Sequence, residues 1–332
     1  MNVWRAALDL IRSGARGTLA TVARTRGSTP VPAGTKMLVG PSGRLVGTVG
    51  GGCVEADVIG AALDAQRAGA PLIMTHHLNA DLAGDLGLSC GGTVDVFVEP
   101  LMSDEGYVRA LEGAAGAAGA AAGLVRTATA WPDGPVKTFE ALGPDAAGGA
   151  PATLSRDRRF VIERLFPAPR VVVFGAGHVG SAIARAAQAA GFRAVVVDDR
   201  PEFADPTRFP EGIAVHAADA DVALPRLGLT AADAVVVATR GHRQDALIVE
   251  RVAVSPASYV GLLGSRRKKA VVTKGLAAAG VPKPALERVR VPVGLPIGAV
   301  TPEEIAVSVV AELIAWRRGE GRGEGGRGKG EG

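Results

Sequence analysis

Gly50-Gly51-Gly52-Cys53-Val54-Glu55 puts a thiol directly behind three glycines. Such a turn is open, with no side chain to obstruct a ligand. From Cys53 to about Ala68, Val54, Val58, Ile59, Ala62 and Leu63 recur at helical spacing, so Cys53 is expected at a helix N-terminus. Unpaired N–H groups at that position favour a thiolate, the form that attacks electrophiles and ligates metals. The second cysteine, Cys90, precedes Gly91-Gly92, and no other cysteine occurs in the 332 residues. The plainer explanation of each is a small residue suited to close packing. Glu55, one turn in, serves equally well as a complement to the helix dipole or as a reacting carboxylate. Arg24, Arg26, Ser28 and Thr29 precede Pro30 in a turn that either lines an anion pocket or is ordinary turn chemistry.

A second chemistry-bearing stretch is Gly175-Ala176-Gly177-His178-Val179-Gly180. It follows the apolar run Val171–Phe174, opens an Ala-rich helix, and has Asp198 at the end of the next apolar run, 23 residues after Gly175. That is the context in which glycines let backbone amides approach a pyrophosphate and an acid receives a ribose. Asp198 favours NAD or the adenosine of FAD over NADP; the same scaffold can also hold another phosphate-bearing ligand or none. His178 lies within reach of a phosphate. Thr239-Arg240-Gly241-His242-Arg243-Gln244-Asp245 follows the buried run Ala234–Ala238, and Gly264-Ser265-Arg266 follows the run ending at Leu263. Both are therefore expected at the C-terminal edge of a parallel sheet, where ligands bind. Ser265 and Arg266 suit an anion there, whereas Lys268 and Lys269 read as a solvated helix face.

The elements that would hold these residues are legible in outline. Strands are expected at Gly17–Arg24, Lys36–Val39, Leu72–His76 and Thr93–Glu99, the last with clean alternation. The Ala/Gly run 113–123 reads as a helix packed closely on a neighbour, with a mobile connector as the other reading, and 127–166 as β structure with turns. Pro167-Ala168-Pro169 marks a boundary. Beyond it, apolar strands alternate with helices, the rhythm of a parallel sheet. Thr301-Pro302-Glu303-Glu304 is a capping-box helix start. The fold class is thus α/β: a small N-terminal α/β domain over 1–166, a Rossmann-type parallel-sheet domain over 167–318, and a Gly/charged tail over 319–332 expected to be disordered.

Composition bounds the function classes. Hydrophobic residues make up 47% and charged residues 21%, as in a soluble globular chain. The net charge of +4 gives no warrant for nucleic-acid binding. No apolar run is long enough to span a membrane, and the start lacks a signal-peptide core. Thiols beside glycine turns suit a reducing, cytoplasmic setting. His76 and His77 are adjacent, so in a strand they face opposite sides and form no ligand pair, and no zinc-site spacing is present.

Together these segments resemble the XdhC/CoxI family, accessory proteins in the maturation of xanthine dehydrogenase and related molybdenum hydroxylases. The resemblance rests on Arg26–Pro30, Gly34–Met37, Gly50–Glu55, Cys90–Gly92, Gly175–Gly180, Asp198–Arg200, Tyr259–Arg266, Pro292–Leu295 and Thr301–Glu312. Arg240 stands where most members carry the first histidine of Thr-His-x-His-x-x-Asp, a variant similar to the carbon monoxide dehydrogenase branch. The resemblance implies a chaperone that binds molybdenum cofactor, as molybdopterin or a dinucleotide form, and delivers it to an apo molybdenum hydroxylase. It also implies a homodimer and, in some relatives, a cysteine desulfurase partner. The resemblance then makes Cys53 a contact to molybdenum, with Cys90 second. Gly50, Gly51, Gly52, Ser28, Gly175, Gly177, His178, Gly180, Asp198, His242, Asp245, Ser265 and Arg266 become the candidate cofactor-binding set. The other reading is an NAD-dependent oxidoreductase, with His178, His242 and Asp245 as a proton relay, or a dinucleotide-sensing regulator.

Overall fold

A computed structural model describes residues 2–41, 43, 45–78, 91–117, 122–131, 136–143 and 150–319. The chain divides into two compact units, Met1–Pro167 and Ala168–Gly332. Cys90, the Trp131-Pro132-Asp133-Gly134 turn beyond its first residue, the middle of the 113–123 run and the expected disordered tail after Gly319 lie outside the described residues.

The first unit runs α1 (Val3–Arg12), β1 (Thr18–Arg26), β2 (Lys36–Val39), β3 (Leu45–Gly47), α2 (Gly52–Ala68), β4 (Leu72–His77), β5 (Thr93–Pro100), α3 (Glu105–Ala117), β6 (Gly123–Ala128), β7 (Lys137–Ala141), β8 (Ala152–Leu154) and β9 (Phe160–Leu165). Two antiparallel sheets result, in the orders β3-β2-β1-β5-β4 and β7-β6-β9-β8. Val58, Ala62 and Ala65 of α2 pack on Val94, Val96 and Val98 of β5. On the opposite face, Leu19 and Leu38 pack with Trp4 of α1 and Leu111 of α3. The clean alternation of β5 therefore does not mean one wet face: Val94 to Pro100 are all buried, because the strand is covered on both sides.

Charges that alternate onto that second face are paired in the interior. Lys137 Nζ on β7 donates to Glu99 Oε1 on β5 (2.7 Å), and Lys36 on β2 pairs with Glu163 on β9, so both pairs join one sheet to the other. Tyr107 donates to Glu99, and the Trp4 ring lies 4.6 Å from the Lys36 ammonium. Burial pushes the Lys36 amine below its ordinary value, against the opposing pull of Glu163.

The second unit runs β10 (Arg170–Phe174), α4 (His178–Ala189), β11 (Arg193–Asp198), a 3₁₀ turn at Pro206–Arg208, β12 (Ala214–Ala217), α5 (Ala220–Leu227), β13 (Asp233–Val237), α6 (His242–Ala253), β14 (Tyr259–Leu262), α7 (Arg266–Ala278), α8 (Lys283–Glu287), β15 (Val289–Arg290) and α9 (Pro302–Arg318). The sheet order is β12-β11-β10-β13-β14-β15, and every neighbouring pair is parallel. This is a Rossmann sheet, whose order reverses at the β10/β13 boundary. Val171 to Phe174 and Asp233 to Val237 are buried throughout, as strands covered by helices on both faces require. The α9 start carries its capping box: Thr301 accepts from Glu304 N–H, and Glu304 accepts from Thr301 N–H. Among the described residues no helix is long and apolar enough to cross a membrane.

Candidate functional site

Each glycine of the second unit's fingerprint has a separate physical role. Gly175 has φ +110° and lies against the Ala238 carbonyl, where any Cβ would collide. Gly180 lies against the Gly175 carbonyl, so helix and loop close together only without a side chain there. Gly177 caps α4 at φ −66° with open space around its missing Cβ and no side-chain hydrogen bond on the cap. The first N–H groups of α4 are thus left for a ligand. His178 is the first helical residue and is exposed.

Asp198, only 5% exposed, ends β11 and is fully occupied. Its Oδ2 accepts from Ala176 N–H (2.7 Å) and Arg200 Nη2 (2.9 Å), and its Oδ1 accepts from Arg200 N–H (3.0 Å) and Nε (2.9 Å). Burial alone would raise this carboxyl; the Arg200 side chain, the two backbone donors and the Arg200 charge outweigh it and hold it at about 2. Four bonds use the lone pairs of a carboxylate. The expected ribose acceptor is therefore closed by Arg200, whose guanidinium also lies 3.6 Å from the Phe203 ring centroid. The cleft between Asp198, Arg200, Thr239 and Arg240 is water-sized, about 10 Å³.

At the same edge, Thr239 Oγ1 donates to Asp245 Oδ1 (2.6 Å), and Lys268 Nζ stands 2.5 Å from Asp245 Oδ2 in an ion pair, off the line of a hydrogen bond. Lys268 Nζ also donates to the Leu263 carbonyl (2.8 Å). The reading of Lys268 as a solvated residue is corrected: its side chain is 13% exposed and ties the α6 start to the α7 start. Gly264 makes this fit, because a Cβ there would strike the Lys268 stem. Ser265 is committed as the α7 cap, accepting from Lys268 N–H, and Arg266 opens that helix. His242 opens α6. The relay of His178, His242 and Asp245 is corrected in one respect: the Asp245 oxygens face Thr239 and Lys268.

In the first unit, Gly50, Gly51 and Gly52 take φ +135°, +76° and +60°, an excursion that only glycines make without strain. Gly51 is the cap of α2, with no side-chain cap bond and nothing near its missing Cβ. Cys53 is the second helical residue, a free and exposed thiol. Gly50 approaches Pro30 and Val31 of the neighbouring loop, and Gly92 fits against the carbonyls of Arg26 and Ser28. The three segments singled out in this part of the sequence therefore converge. Ser28 is exposed there. Two other candidates are committed elsewhere: Arg24 Nε donates to Asp95 Oδ2 (2.6 Å), and Thr29 donates to the Val31 carbonyl. Burial works against ionised Asp95, but bonds from Thr75 and Arg24 prevail and lower its carboxyl. His76 is half-buried, 3.8 Å from Asp57, and His77 is exposed.

Lys268 and Arg200 are the residues that sequence reasoning missed. Gly264, four residues before Lys268, and the i, i+2 spacing of Asp198 and Arg200 were the available signals.

Comparison with known proteins adds a family to this geometry. Residues 171–313 match the family described as the XdhC Rossmann domain, and residues 10–77 match the XdhC and CoxI family. A Bacillus subtilis (strain 168) protein, named as a probable subunit of xanthine dehydrogenase, is 29% identical over 93% of this chain and 96% of its own. An Escherichia coli (strain K12) protein named "Uncharacterized protein YqeB" is 29% identical over 95% of this chain; the chain spans 46% of that relative. A crystal structure of a xanthine dehydrogenase from Bacillus halodurans superposes with a TM-score of 0.76 at 25% identity, covering 96% of both chains.

Proposed function

The chain belongs to the XdhC and CoxI family, and on that premise we propose that it is an accessory carrier in the maturation of a xanthine dehydrogenase or carbon monoxide dehydrogenase-type molybdenum hydroxylase. The cargo is molybdenum cofactor, a pterin dithiolene with a phosphate that some forms extend by a nucleotide. The client is the apo-hydroxylase. A cysteine desulfurase is the second partner where the cofactor is sulfurated before delivery.

The observation that carries this reading is the setting of Cys53. It is an exposed thiol on the first turn of a helix whose cap, Gly51, leaves open space in front of it. A soft sulfur beside free N–H donors suits a molybdenum–dithiolene group and its phosphate. Among the described residues this thiol has no partnered base, which fits holding a cargo better than turning it over. In the second unit, taken by itself, the open amides of α4 and the exposed Arg240 suit the phosphate of a nucleotide.

Two measurements test the proposal. Mass spectrometry of ligands co-purifying from a producing host is expected to find molybdopterin or its dinucleotide; NAD or FAD alone would replace the carrier reading with the oxidoreductase or sensor one. Reconstitution of an apo-hydroxylase is expected to fall at least tenfold with Cys53→Ala. Unchanged reconstitution would remove the thiol from the mechanism.

A further inference from the structure

We infer that an apolar cleft in the second unit, beside the 292–299 loop, binds a neutral planar heterocycle carried on a phosphate-bearing ligand. This deepens the proposed function by assigning the ring end of the ligand to its own subsite, and it rests on that reading for the phosphate end.

The cleft has a volume of about 490 Å³ and is walled by Leu263, Gly264, Val293, Leu295, Ile297 and Ile305. That is the size of a small-molecule site, whereas the cleft at the β10/β13 boundary is water-sized. Among the described residues no charged side chain lines it, and its polar side chain, Ser308, is committed to the Leu295 carbonyl (2.6 Å). A ring that enters must therefore be uncharged, because an ionised one would lose hydration without a partner. Lys268, behind the Gly264 wall, already has its charge matched by Asp245.

The position fits one end of a ligand whose phosphates meet the α4 amides. The cleft follows β14 and β15, two and three strands from β10 in the sheet order. At about 4.8 Å per strand this is roughly 10–14 Å along the edge from the Gly175 loop, a span that suits a diphosphate-bearing ligand, with one phosphate on the α4 amides and the other nearer the ring.

The walls are built in advance. Gly294, at φ +102°, is pressed against Ser308, and its N–H donates to Glu312 Oε2 (2.5 Å), which shares its carboxylate with Arg290. Leu295 and Ile297 are nevertheless 41% and 54% exposed. Apolar side chains held rigidly toward water at the rim of a cleft gain when a flat ring covers them.

The test uses the full chain and three probes: NADH, ADP-ribose (the same nucleotide without the ring) and 6-hydroxymethylpterin, followed by fluorescence and calorimetry. For a nicotinamide-type ring, NADH is expected to bind at least tenfold more tightly than ADP-ribose. For a pterin, 6-hydroxymethylpterin is expected to bind while NADH gains nothing over ADP-ribose. Either gain should fall at least tenfold in Ile297→Trp, which fills the cleft, with Leu295→Asp as the second variant should the first unfold. The inference is overturned if neither ring probe gains, or if both folded variants leave the gain intact. ADP-ribose binding that persists in that case would leave the phosphate edge standing, and hydroxylase reconstitution judges the carrier reading separately.

Discussion

Two glycine turns in this protein lead into helices with uncapped N-termini, and they are finished in opposite ways. The Gly175 turn is closed from behind. Asp198 holds the Ala176 amide, Arg200 covers Asp198, and Gly180 locks the helix onto the Gly175 carbonyl. The Gly50 turn is open in front, with a positive-φ cap at Gly51 and an exposed thiol at Cys53. Its unit keeps its strongest electrostatics elsewhere, in the Lys36–Glu163 and Lys137–Glu99 pairs between the two sheets. A glycine turn before a helix thus specifies backbone access alone. What chemistry occurs there depends on which side chains stand behind the turn.

The largest expected effect breaks the frame of the first unit without touching either turn. Lys137→Ala leaves Glu99 as an uncompensated charge in the interior, which costs about 3–5 kcal/mol. Urea unfolding should show this loss, and Lys137→Met combined with Glu99→Leu should restore most of it. Full stability of Lys137→Ala alone would mean that the pair is not formed in solution.

The second prediction separates the roles of the glycines. Gly180→Ala places a Cβ on the Gly175 carbonyl and is expected to cost about 2–4 kcal/mol. Gly51→Ala meets open space but keeps φ +76° and ψ 175°, so the expected cost is about 1–3 kcal/mol from the dihedrals alone. Gly177→Ala, open and at φ −66°, should be nearly silent in thermal unfolding. Equal costs at all three would abolish the distinction between a closed turn and an open one.

The parts legible in the sequence are those whose signals are local. The strand, glycine turn and helix at Val171–Ala189 and the capping box at Thr301 each lie within a few residues of the contacts that define them. Where contacts join distant residues the sequence was silent. Lys268 meets Asp245 only because β13 and β14 are neighbours, so its place among four basic residues suggested a wet helix face. Lys36, Glu99, Lys137 and Glu163 find one another only when two sheets stack. The short edge strand β12, with no fully buried residue, and α5, interrupted by Pro225, carried weak periodicity and gave no signal. Of the candidate site, the Gly50, Gly92 and Ser28 segments could be singled out one by one, but their convergence needed the register of β1 against β5. That Asp198 is already filled by Arg200 also became visible only in the structure.

Asp198 gives a smaller and pH-dependent test of the closed turn. Its carboxyl is held at about 2 in the folded chain, below its ordinary value near 3.8. A depressed carboxylate contributes stability above the unfolded value and loses it as pH falls through the folded one. The contribution is therefore complete above about pH 4 and lost toward pH 2. With allowance for solvent screening it is about 1–2 kcal/mol. Asp198→Asn should lower the thermal midpoint at pH 7 and flatten the acid limb of the stability curve. An unchanged acid limb would show that Arg200 does not hold Asp198.

Cys53→Ser should have the smallest effect on stability and is the sharpest test of the open turn. The side chain is exposed, and serine suits the first turn of a helix, so the change in unfolding free energy should stay within about 0.5 kcal/mol. Its effect on cargo should be large, because a hydroxyl is a poor ligand for a soft metal centre. In the native protein iodoacetamide should modify Cys53 without denaturant, and molybdenum cofactor should slow that modification. If the cofactor binds Cys53→Ser as tightly as the parent and leaves alkylation of the parent unchanged, the thiol is a bystander. The turn would then offer only its amides, and the contrast with the Gly175 turn would reduce to their closure.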